Sequence, residues 1–220
     1  MGWVLDNVGL IGEITLAHIG LSLIPVILGA LLSLPIGWHA RRFPIARGSI
    51  LSVVGIFYTI PSLALFVLLP PLFGFPILSE LNVIVALVIY AIAIMVRSVS
   101  DAFSSIDPGA LRAATALGYG PWQRFFQVEL PLAGPVLLAG LRVVSVSTVS
   151  LVTVGVLVGV KSLGYFFTDG FQRRIESEIL TGIVMTLLVA LIFDLALLAL
   201  GRAVMPWSLL ATKRVSQEES

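Results

Sequence analysis

Twenty-three consecutive residues, 16–38 (LAHIGLSLIPVILGALLSLPIGW), pass without one Asp, Glu, Lys or Arg. Four further stretches are nearly as apolar. Segment 49–73 is uncharged and carries Pro61, Pro70 and Pro71. Segment 81–96 ends against Arg97, whose long side chain can snorkel to headgroups. Segment 132–160 holds only Arg142, and segment 179–201 only Asp194. A bilayer core of about 30 Å takes roughly 20 apolar residues per helix, so the pattern predicts five helical spans in one domain covering 1–220. Composition agrees: charged residues make up 11% of the 220, apolar ones 58%, and the mean hydropathy is +1.08. A soluble domain is typically about 25% charged. Soluble enzymes, disordered tails and secreted disulfide scaffolds are excluded. So is a β-barrel, because the runs are continuous rather than alternating. The fold class is therefore all-α, a polytopic membrane bundle. Without cysteine the chain has no thiol nucleophile and no thiolate metal site.

Lysine and arginine set the orientation, since they accumulate on the cytoplasmic side. Arg41, Arg42, Arg47, Arg97, Arg112, Arg124, Arg202, Lys213 and Arg214 fall on one side, and Lys161, Arg173 and Arg174 on the other. This predicts an external N-terminus and a cytoplasmic C-terminus. Trp38 and Trp207 then fall near cytoplasmic span ends, as interfacial anchors do. The first run is longer than a signal-peptide core and is expected to stay as span one.

The cytoplasmic connection 97–131 is too long to be a simple turn. Asp107 suits an N-cap and Pro108 the first helical position. Ala110 to Leu117 are good helix formers, and Gly118 can close the helix. Gly120 and Pro121 open a second short helix that Pro131 is expected to stop before span four. The pair would present Leu111, Ala114, Leu117, Trp122 and Phe125 to the cytoplasm. By spacing alone this is either an amphipathic pair lying on lipid or a docking surface for a soluble partner.

The residue order here is Ala113-Ala114, three residues, Gly118, nine residues, Val128-Glu129-Leu130-Pro131. It resembles the Glu-Ala-Ala, three, Gly, nine, Ile-x-Leu-Pro loop of permease subunits in bacterial binding-protein-dependent ABC importers. Thr59-Ile60-Pro61-Ser62-Leu63-Ala64-Leu65, Leu130-Pro131-Leu132-Ala133 and Gly159 to Gly164 are similar to the glycine betaine, carnitine and choline group. The resemblance runs from about residue 12 to residue 203. It implies a coupling loop seated on a separate ATPase, carrying over Ala113, Ala114, Gly118, Leu130 and Pro131; Arg112, and Leu117 and Trp122 from the exposed face, complete the expected coupling residues. Arg112 stands where the family has Glu, which puts the usual charge contact in question. The resemblance also implies a second permease subunit, an extracytoplasmic substrate-binding protein, and a place in the bacterial inner membrane. ATP and Mg would sit on the partner. This chain has no Walker A sequence and no enzymatic constellation, and nothing in it suggests nucleic-acid binding.

Arg142 and Asp194 each lie eight residues inside a span end, about 12 Å deep at about 1.5 Å per residue. Membrane-embedded charges face the interior and find partners, so the two are expected to pair. Thr59, Pro61, Ser62, Ser145 and Thr148 are candidates for the translocation path. Proline loosens the backbone ladder, and hydroxyls satisfy the carbonyls it frees. His18 reads as a packing residue, and no His, Asp or Glu cluster has metal-ligand spacing. Open alternatives are import of another small amine or amino acid, an ATPase-independent channel or carrier, and a membrane scaffold.

Overall fold

The computed structural model describes residues 2–74 and 76–207. Among these residues every regular element is helical. A short α1 (Gly2–Asp6) leads into α2 (Val8–Arg42). Then come α3 (Pro44–Thr59), α4 (Ser62–Phe73), α5 (Glu80–Ser104), α6 (Pro108–Ala116), α7 (Pro121–Arg124), α8 (Leu130–Val152), α9 (Gly164–Arg173) and α10 (Glu176–Val204). Four helical stretches are long and apolar enough to cross a membrane, and five if α3 and α4 together count as one. Lys213 and Arg214 lie outside the described residues.

The stretch 49–73 is not the straight helix expected of it. Arg47–Thr59 and Ser62–Phe73 meet at 103°. Pro61 supplies the cause. Its ring disfavours the α conformation in the residue before it, and Ile60 is extended at φ −67, ψ 129. The break frees backbone carbonyls that would be costly to bury unpaired. The Tyr90 hydroxyl donates to the carbonyl of Ile60. Further along, Pro70 lacks the N–H that would satisfy Phe66, and the Asn82 side chain donates to that carbonyl instead at 2.8 Å. Asn82 and Tyr90 stand eight residues apart on one face of α5, both buried. They serve the two proline-induced gaps of the bent pair.

Helix α5 is the centre of the bundle, in contact with α2, α3, α4 and α8. Lipid tails are as apolar as Leu, so close backbone approach rather than water exclusion holds such helices together. A Cβ placed on Gly29 of α2 would lie 2.3 Å from the Ala91 Cβ, and one on Gly37 would lie 2.5 Å from Val99. These two glycines let α2 lie flush along α5. Helices α8 and α10 meet in the same way, since a Cβ on Gly201 would collide with Leu138 at 2.3 Å. Helix α9 packs on the start of α10, and another face of α10 is uncovered, with Leu180, Leu187, Leu191 and Leu195 all exposed.

Pro131 does not stop a helix. The chain runs from α7 through a π-turn, Phe125–Glu129, straight into α8, and the helical run from Pro121 to Val158 spans 38 residues. A proline inside a regular helix loses one hydrogen bond and crowds the carbonyl four residues back. The wider π-turn relieves that crowding, so Pro131 is accommodated in the first turn of α8.

Candidate functional site

The elbow between α5 and α8 is built from strong local signals. Asp107 caps α6, its carboxylate accepting the Gly109 N–H at 2.9 Å, and Pro108 follows at the first helical position. At the other end Gly118 has φ +86, a left-handed conformation that costs glycine nothing. The Gly118 N–H donates to Thr115 and the Tyr119 N–H to Ala114, at 3.0 and 3.1 Å. This paired arrangement closes a helix end with few orphan carbonyls.

The two faces of the elbow differ from the expectation. Leu111 and Phe125 pack inward on a core cluster that includes Val99, Phe103 and Ala133, and Ala114 is also buried. The exposed face carries Arg112, Ala113, Leu117, Gly118 and Trp122, joined by Phe126, whose ring stacks on Trp122 at 6.3 Å. Leu130 and Pro131 are half-buried, so with Ala114 they seat the elbow rather than form its outer surface. Apolar residues three apart mark a stripe on a helix without saying which way it points. Here the stripe through Leu111 and Ala114 is the inner one.

Phe125 is the aromatic pin of this seat. Its ring lies 5.4 Å from Trp38 of α2 and 5.7 Å from Phe103 of α5. Trp38 is therefore packed against protein rather than standing free as an anchor, whereas Trp207 is exposed.

Beneath the pin lies Glu129, only 2% exposed. Its carboxylate accepts from Trp38 Nε1 at 3.2 Å, from Arg41 at 3.2 Å and from Arg124 Nε at 2.8 Å. Arg124 also donates to the Thr115 hydroxyl at 3.1 Å. A cavity of about 190 Å³ is lined by Trp38, Arg41, Leu111, Arg124 and Glu129. Sequence reasoning passed over Glu129 as part of a motif. The signal was its isolation, for it is the only acidic residue between Asp107 and Asp169.

Arg142 and Asp194 are brought together as a two-point ion pair between α8 and α10, with Nε to Oδ1 at 2.6 Å and a terminal nitrogen to Oδ2 at 2.8 Å. Thr59 and Pro61 are exposed at the 103° break, and Ser62 beside them is half-buried. The Thr59 hydroxyl donates back to Ile56 at 2.7 Å. Ser145 and Thr148 lie elsewhere, buried inside the bundle on α8. The path candidates therefore form two separate groups. His18 is buried with both ring nitrogens engaged, Nε2 with the Val149 carbonyl at 3.1 Å and Nδ1 with the Leu163 N–H at 3.2 Å. One donates and one accepts, which is the pattern of a neutral imidazole.

The end remote from the elbow carries Lys161 paired with Glu13 at 2.8 Å and Arg173 with Asp169 at 3.1 Å. Its hydrogen bond to Glu13 holds the Lys161 ammonium above the usual lysine range. Among the described residues no cluster of His, Asp or Glu is placed to hold a metal.

Comparison with known proteins gives this geometry its context. The choline transport system permease protein OpuBB of Bacillus subtilis is 30% identical over 202 residues, 92% of each chain. The osmoprotectant import permease protein OsmW of Salmonella typhimurium is 29% identical, covering 87% of this chain and 90% of its own. Among solved structures, an inward-facing conformation of the MetNI methionine ABC transporter superposes with a TM-score of 0.78. It does so at 23% identity, over 90% of this chain and 98% of its own, a likeness that speaks to fold. Residues 16–207 match the family described as binding-protein-dependent transport system inner membrane component, and the chain belongs to that family.

Proposed function

We propose that this chain is the permease subunit of an ATP-driven importer for a small osmoprotectant such as glycine betaine, choline or carnitine. It has no catalytic role of its own. It lies in the bacterial inner membrane as one domain of five spans, the bent α3–α4 pair counting as the second. Its N-terminus is outside and the elbow faces the cytoplasm. It works beside a second permease subunit, with two ATP-hydrolysing subunits below and a substrate-binding protein on the external side. ATP and Mg are held by the hydrolysing subunits. The names of the relatives support the substrate class.

The observation that carries this reading is the outward face of the elbow. Leu117 and Trp122 are 77% and 72% exposed and Phe126 is 59% exposed, within the motif spacing of the family. Large exposed apolar groups clustered beside one charge mark a protein or membrane contact, and the family's coupling-loop motif favours the protein. Arg112 gives that contact a basic edge, so the partner surface is expected to present an acidic residue to it. A push on Trp122 enters α8 directly, because α7, the π-turn and α8 are one continuous helix. Closure of the ATPases on ATP then tilts the spans and opens the bundle outward. Thr59 and Ser62 at the break line the route taken by the substrate.

Arg142 and Asp194 hold α8 to α10, about 12 Å in from the cytoplasmic span ends. The same pair motivates the rival reading of an ATPase-independent carrier that uses it as a coupling charge. Uptake of labelled choline, glycine betaine and carnitine into proteoliposomes, with the partner ATPase active or catalytically dead, decides between them. Uptake that requires the active ATPase supports the importer. Uptake that persists with the dead one overturns it.

A further inference from the structure

We infer that Glu129 is a positioning residue for energy coupling: it locks the elbow to the inner end of α2, so that one displacement moves both. The inference rests on the importer reading above and names the linkage within it.

Three elements converge on this carboxylate. Arg41 and Trp38 come from the last turns of α2, Arg124 from α7, and Glu129 closes the π-turn. Arg124 extends the linkage to α6 through Thr115. A carboxylate that is 2% exposed is tolerated when its oxygens are occupied by charged donors. Here the donors come from positions 88 and 91 residues earlier in the chain as well as from the adjacent turn. Its arginines are only partly exposed, at 24% and 30%.

The position of the linkage matters. Helix α8 already continues from the elbow, so it moves with it. Helix α2 packs along α5 and α8, and its inner end is tied to the elbow itself by the Glu129 linkage and the Trp38–Phe125 ring contact. The rings can slide past one another, whereas a carboxylate shared by two arginines resists separation along both directions. Without Glu129 a push on the elbow reaches α8 at once, while the inner end of α2 follows only through its packing on α5 and α8.

The test uses the assembled transporter with its ATPase and binding protein in proteoliposomes. Glu129→Gln keeps the shape and removes the charge. Trp38→Phe keeps the ring and removes one donor. The Glu129→Gln assembly should retain its ATPase on purification and hydrolyse ATP. Its uptake of labelled choline, glycine betaine or carnitine per ATP hydrolysed should fall roughly tenfold, within the range of mutations that alter coupling. Trp38→Phe should lower the same ratio less. Amide exchange in the assembly should quicken both in 36–42 and in 108–129, with 80–104 unchanged. An unchanged ratio, or exchange that quickens in the elbow alone, overturns the linkage. If the wild-type chain purifies without any ATPase, the importer reading fails first, and a changed ratio is never reached.

Discussion

Two charge clusters at opposite ends of the bundle differ in kind. At the elbow end one buried carboxylate, Glu129, gathers two arginines and a tryptophan from separate helices. At the far end the Lys161–Glu13 pair is single and open to solvent, its side chains 69% and 60% exposed. Exposed pairs contribute little to stability because water and salt screen them. A buried, fully occupied carboxylate fixes the geometry of everything that donates to it. The Glu129 linkage is therefore built to hold its shape under load, whereas the Lys161–Glu13 pair is easily broken.

That contrast is broken or sharpened most severely at Trp122. Trp122→Asp puts a charge in the middle of the outward apolar face. It should cost about 2 kcal/mol or more of partner affinity, roughly thirtyfold, measured as ATPase retained on co-purification. Retention equal to wild type would mean that the face contacts nothing. Next in size is Gly118→Val, which forces a branched side chain into φ +86 at a cost of about 1–2 kcal/mol. It should lower uptake with little change in the amount of protein in the membrane, since the far end and the bundle do not depend on that turn.

The Arg142–Asp194 pair sharpens the comparison within the bundle. Asp194→Ala leaves an arginine without its partner in a low-dielectric setting, and breaking a pair costs more than replacing both members by apolar groups. The single variant should accumulate to a lower level than Arg142→Met with Asp194→Leu, as read by immunoblot of membranes. Equal levels would show that the pair is solvated. Smallest of all is Lys161→Ala, which removes a solvent-exposed contact. Thermal stability and uptake are expected to match wild type, and a clear loss of either would erase the contrast between the ends.

Long uncharged runs made the bundle legible from the sequence, because hydrocarbon thickness and helical rise leave few other solutions. The caps of α6 were legible for the same local reason. Asp107, Pro108 and Gly118 act on neighbours within about one helical turn. Pro61 was visible as a weak point in the ladder, yet the bend it produces depends on Tyr90, 30 residues beyond Ile60, which gives the freed Ile60 carbonyl somewhere to go. Pro131 misled for a matching reason. A proline reads as a stop unless the turn before it is known to be widened. The direction of the elbow's apolar stripe was not legible, since Leu111 and Leu117 look alike until Phe103 and Val99 are known to lie on one side. Glu129 was the deepest omission. Its importance is a property of Trp38 and Arg41, and nothing in its immediate sequence shows that they converge on it.

The claim that displacement enters this bundle through the elbow is tested most directly by a photo-crosslinking amino acid placed at Trp122 in native membranes. The account predicts a crosslink to an ATP-hydrolysing subunit, formed from the cytoplasmic side. A crosslink to the external binding protein, or to lipid alone in a fully assembled transporter, would contradict it.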